Sequence, residues 1–211
     1  MMNDAVTGRY LLKFDEINRI TGNEIITFES DTETAVKKFR DILVDMYIEG
    51  FSAAAYMLDT EDKRVQERNI DKTVAYSYPD GVSIEDKRVQ ERNVNKMAAH
   101  SYPDGVSIED KFREYYRAQN EQELERLLNS EAHRAYNTGA YDLALSVPGA
   151  VSEWVTVNDF RVRETHEYLE GITTPVGGYF YTFDGDRARF PGDFKNPANN
   201  ANCRCILRYT V

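Results

Sequence analysis

Three side chains in the last quarter of the chain carry the donor atoms from which chemistry is most readily built: His166, Cys203 and Cys205. Both cysteines of the chain fall in a single Cys-x-Cys, and His166 is the histidine nearest to them in sequence. Two cysteines one residue apart close too short a loop for a relaxed disulfide, so both are read as thiols or metal ligands. The preferred reading is structural. At alternate positions of a strand the two thiols point the same way into the core, while His166 hydrogen-bonds backbone in a folded turn. Zinc binding is the alternative, and a thiolate activated by the imidazole is the catalytic one.

Around these donors lies a cluster of arginines, Arg161, Arg163 and Arg204, with Asp159, Glu164 and Asp193 close by in sequence. A guanidinium fork suits a phosphate or a carboxylate equally well, and so many carboxylates favour an ion-pair network over an anion site. Trp154 and the aromatic set Tyr179, Phe180, Tyr181, Phe183 and Phe190 read as strand core rather than as a platform for stacking bases. The chain has no Walker-type glycine loop, no Gly-x-Ser-x-Gly elbow and no His-Glu-x-x-His.

The elements that must position these groups change character along the chain. Asp31 or Thr32 caps an expected helix through Ala35, Val36, Phe39, Ile42, Leu43, Met46 and Tyr47, continuing toward Ala53 and Met57. Ile25 to Phe28 reads as a short strand. Phe112, Tyr115, Tyr116, Leu124, Leu127 and Leu128 mark a second helical region, over 109–142. Beyond Val147-Pro148-Gly149 come short segments rich in Val, Thr, Tyr and Phe, punctuated by Gly, Pro and Asp. Residues 151–157, 178–183 and 205–211 are expected strands, with a short helix over 161–169. The fold class is therefore α+β: a mostly helical region over 1–108 and a smaller module over 109–211, strand-rich from 150 onward.

Between the two helical regions sits a tandem duplication. Residues 61–84 and 85–108 differ only at Ile70/Val94, Asp71/Asn95, Thr73/Met97, Val74/Ala98 and Tyr76/His100. Two copies are too few to stack into a solenoid. Each ends in Tyr-Pro-Asp-Gly, a turn signal, and Ser83 and Ser107 stand where they would cap the next helix. The apolar positions, such as Val89, Val94 and Met97, form a narrow face, so the second copy is expected to lengthen an exposed helical hairpin.

Composition excludes some classes. The chain has 211 residues, 41% hydrophobic and 29% charged, enough to bury a core and without an apolar run long enough for a membrane span. A formal charge of −10 argues against sequence-independent binding of duplex DNA, which needs clustered Lys and Arg to displace counterions. The start, Met1-Met2-Asn3-Asp4, does not read as a secretion signal, so folding in a cytoplasm is expected.

One ordered constellation stands out: Glu131-Ala132-His133-Arg134-Ala135-Tyr136-Asn137, Trp154, Asp159-x-Arg161-Val162-Arg163-x-x-His166, Gly171, Phe180, Pro191-Gly192-Asp193 and Asn202-Cys203-Arg204-Cys205. Over roughly residues 110–211 it resembles the phage Mu F-like minor head proteins, the MuF or phage head morphogenesis domain. The resemblance implies a structural protein of the virion, present in the host cytoplasm during assembly. It would associate with portal and capsid or scaffold proteins, in some relatives contact viral DNA, and act in head morphogenesis or in DNA packaging and ejection. No membrane and no obligatory cofactor are implied.

Many relatives place Cys-x-x-Cys where this chain has Arg163-Glu164-Thr165-His166, and a histidine where it has Asn200. The donors for zinc are thus reduced to His166, Cys203 and Cys205, with Asp193, Asp159 or water left for a fourth position. Toxin-bearing relatives supply the enzymatic alternative, a virion-delivered effector of ADP-ribosyltransferase type using Arg163 with Glu167 or Glu170. A prophage remnant whose duplicated hairpin serves a new partner is a third reading.

Overall fold

The computed structural model describes Arg19, residues 25–58 and residues 105–211; the expected hairpin of the duplication lies outside the described residues up to position 104. Helix α1 spans Thr32–Leu58. Asp31 starts it, its carboxylate accepting the N–H groups of Glu33 and Thr34, two donors that would otherwise lack partners at a helix start. The stripe from Ala35 to Phe51 is buried, as its three-and-four spacing requires. Residues 25–28 are not the expected strand. They form a turn closed by the Phe28 N–H on the Ile25 carbonyl, with Phe28 at φ 57° and Ile25 fully buried.

The second helical region is two helices, α2 (Ile108–Arg117) and α3 (Glu121–Leu145), where one over 109–142 was expected. Ser107 caps α2 by accepting the Asp110 N–H. The chain then breaks at Gln119, which adopts φ 50°, while the Asn120 side chain accepts the Glu123 N–H and starts α3. Two cross-helix ion pairs, Arg40–Glu109 and Arg113–Glu33, tie α2 to α1. Phe39 and Phe112 stack face to face between them at 4.7 Å.

Helices α1 and α3 pack against each other along most of their length, and their backbones meet at two glycines. A Cβ on Gly50 would stand 1.9 Å from the Tyr136 carbonyl oxygen, and one on Gly139 would stand 2.0 Å from that of Tyr47. No larger residue permits this approach. One core lies among α1, α2 and α3; a second lies beneath the C-terminal half of α3, against the strands.

Those strands are β1 (Val151–Val155), β2 (Thr173–Pro175), β3 (Phe180–Tyr181), β4 (Arg187–Ala188) and β5 (Ile206–Thr210). The first sheet has order β2-β1-β5, antiparallel throughout, with Trp154 opposite Leu207. β3 and β4 form a separate antiparallel hairpin. The expected segments 151–157, 178–183 and 205–211 each hold a strand, though a shorter one; β2 and β4 were not expected. The helix expected over 161–169 is a single turn, α4 (Glu164–Glu167), and α5 (Pro197–Asn200) is another. The described chain is thus α+β: helices lead, and short antiparallel strands follow.

Candidate functional site

α4 and the residues just before β5 face each other across the second core. Arg163, immediately before α4, donates through both terminal guanidinium nitrogens to the carbonyls of Ala198 and Ala201, which clamps the two segments. His166, inside α4, is thereby driven inward and is 1% exposed. Its imidazole packs face-on against Phe194 at 5.2 Å and meets the edge of Trp154 at 5.6 Å. Held in this aromatic slot, the ring turns Nδ1 toward both thiols: 3.5 Å to Cys203 Sγ and 3.4 Å to Cys205 Sγ. Nε2 is buried and makes no hydrogen bond to described residues.

Cys203 and Cys205 are both buried and unoxidised, and their alternation points both sulfurs at His166, ahead of β5 rather than within it. His166 was expected to bond backbone through its ring; the ring addresses the thiols instead, because Arg163 and the flanking aromatics fix its orientation. A cavity of about 10 Å³ touches all three side chains, together with Val157 and Asn202. Burial alone would raise the Cys203 thiol, but the Cys205 thiol and the imidazoles of His133 and His166 hold it well below its ordinary value. Cys205, bonded to Cys203 and buried, is pushed well above.

His133 belongs to the sequence constellation, where its residue type and spacing assign it no role of its own. It is 1% exposed on α3, within hydrogen-bonding reach of Cys203. Asn137, one turn later, places its amide nitrogen 3.2 Å from His133 Nε2 and 3.4 Å from the Cys205 carbonyl oxygen. The available signal was the i,i+4 pairing of His133 with Asn137 on a buried face, which sequence alone does not connect to a loop near residue 203.

The remaining residues of the constellation brace this centre. Asp159 accepts two bonds from Arg204, at 2.6 and 2.8 Å, and Arg161 leans on the same carboxylate. Asp193 pairs with Arg189 rather than with the arginines expected. Trp154 is fully buried, Gly171 follows α4 at φ 73°, and Asn202 adopts φ 52° just before the thiols. Glu131 and Arg134 form a partly buried ion pair at 2.7 Å on one wall of a cleft of about 560 Å³, which also meets Lys111, Tyr115 and Asp193. Pro191 and Gly192 are buried, Gly192 against Arg134 at φ 98°.

The aromatic set divides. Phe180 and Phe190 are core, as expected, but Tyr179, Tyr181 and Phe183 are 39%, 57% and 60% exposed. Alternation along a two-stranded hairpin covers one face only, and nothing in the described residues covers the other. Tyr168 of the α4 end meets Phe183 edge-on and extends this face, and Arg187 lies over Tyr179.

No curated protein and no solved structure matches the chain. The family model described as Phage Mu protein F like protein matches residues 87–208, which takes in α2, α3, strands β1 to β4, the first three residues of β5 and every residue of the thiol–imidazole centre. That span is more than half of the 211 residues, and the chain belongs to the Phage Mu protein F like family.

Proposed function

We propose that this phage head morphogenesis protein is a minor component of the virion that associates with the portal and works by docking rather than by catalysis. The family match over 87–208 carries the reading. The apolar stripes of α1 and α3 are spent on each other, so they do not form the docking surface. The face of Tyr168, Tyr179, Tyr181 and Phe183 does, and its partner is a portal, capsid or scaffold protein. A net charge of −10 favours a protein partner over viral DNA. No described helix is long and apolar enough to cross a membrane.

Two of the groups named for an ADP-ribosyltransferase-like activity, Arg163 and Glu170, are otherwise engaged, which supports docking, while Glu167 is exposed on α4. Arg163 holds the carbonyls of Ala198 and Ala201, and Glu170 accepts the Thr156 N–H. The test is isolation of proheads from cells in which the encoding phage is induced. Co-sedimentation of the chain in few copies with portal protein is the expected result. Its recovery only as a free protein that modifies host targets would reverse the reading.

A further inference from the structure

We propose that His133, His166, Cys203 and Cys205 together hold one structural zinc ion, which staples α3 to the segment leading into β5. The inference does not depend on the head role. It begins with spacing. Tetrahedral zinc with bonds of about 2.3 Å to sulfur and 2.0–2.1 Å to nitrogen sets sulfur and nitrogen about 3.5 Å apart. His166 Nδ1 stands 3.5 and 3.4 Å from the two sulfurs, and the three donor atoms all lie within 4.8 Å of one another.

A neutral imidazole nitrogen offers one proton or one lone pair, so Nδ1 serves one thiol directly and reaches the other only through the contact of Cys205 with Cys203. A metal ion serves both. The cavity of about 10 Å³ against the same side chains is the size of a single small sphere. Two thiolates and two neutral imidazoles around a divalent ion sum to no net charge, which suits donors this buried; two thiol protons leave when the ion enters.

The fourth donor follows from elimination and placement. Asp159 and Asp193, the carboxylates near in sequence, are committed to Arg204 and Arg189. His133 is buried on the facing helix, in reach of Cys203, with Asn137 against its ring. It lies outside the tight triangle of the other three, so coordination requires its imidazole to turn, a rotation about side-chain bonds. Four ligands leave no open position, which makes the centre a brace and not a hydrolytic site.

The experiment uses the full chain, stripped of metal under reducing conditions and titrated with cobalt(II), then with zinc as competitor. The expected result is saturation at about one ion per chain, with the visible absorption of tetrahedral cobalt and sulfur-to-metal charge transfer. His133→Ala is expected to retain the charge-transfer band but to bind at least about tenfold more weakly, a loss that even supporting contacts produce. Circular dichroism of each stripped variant separates lost ligands from lost fold. Absence of saturable, tetrahedral cobalt binding by the wild-type chain overturns the site, and His133→Ala with unchanged affinity and spectrum overturns the assignment of the fourth ligand.

Discussion

His166 and Cys203 stand 37 positions apart in the chain, yet the imidazole Nδ1 lies 3.5 Å from the thiol sulfur. Arg163 produces that meeting by gripping the Ala198 and Ala201 carbonyls, and Trp154 and Phe194 hold the ring between them. If an ion bridges these donors, removing it releases α3 from the β5 approach. An ion held at a thousand times its dissociation constant contributes about 4 kcal/mol. For a chain of this length each kcal/mol moves the melting temperature by about 2–4 °C. Chelation in reducing buffer is therefore expected to lower the melting temperature by about 10 °C in scanning calorimetry, and readdition of zinc to restore it.

The α1–α3 crossing is set by Gly50 and Gly139. Either glycine replaced by alanine drives a methyl group into a backbone carbonyl, and helix backbones yield only by moving apart. Gly139→Ala is expected to cost at least about 1–3 kcal/mol, the usual range for overpacking, measured by urea unfolding. Because both substitutions strain one contact, the double variant should lose less than the sum of the two.

Asp159 links stability to acid pH. Its hydrogen bonds from the Arg204 guanidinium, followed by the one from the Arg161 backbone, hold its carboxyl well below the ordinary 3.8. A depressed folded value means that the contribution is fully present above the unfolded value and fades as pH falls through the folded one. The stability difference between wild type and Asp159→Asn should be constant from pH 7 to about 5 and shrink below about 4. A difference that grows on acidification would show that the ion pair is not its source.

The exposed aromatic hairpin separates docking from folding. Tyr181→Ser and Phe183→Ser remove side chains that are more than half exposed. Such changes usually alter stability by about 0.5 kcal/mol or less. The double variant should melt like wild type and fail to enter heads, read by immunoblot of purified particles. Normal incorporation would move the docking surface elsewhere.

How much of this was legible depended on whether a signal was local. The α1 stripe and its Asp31 cap, the burial of Trp154 and the positions of three strands were readable, because periodicity and capping act within a few residues. The break at Gln119 also had its signal, Asn120 followed by Glu123 in the pattern of a helix start, but the apolar spacing continued across it and hid it. β2 and β4 span three and two residues; their partners define them, and they carry no alternation of their own. Ile25 to Phe28 has β-branched residues yet turns, because Ile25 is drawn into the core of the helices. His133 was invisible as a donor for the same reason: only the packing of α3 under residues 203–205 brings it there.

Docking at the portal is tested most directly by a photo-crosslinking amino acid placed at Phe183 in heads assembled in induced cells. Crosslinked peptides identified by mass spectrometry should join this chain to portal protein, and the same probe at Glu125, on the exposed side of α3, should not. Chains that are incorporated into heads but crosslink at Phe183 to no head protein would contradict the account.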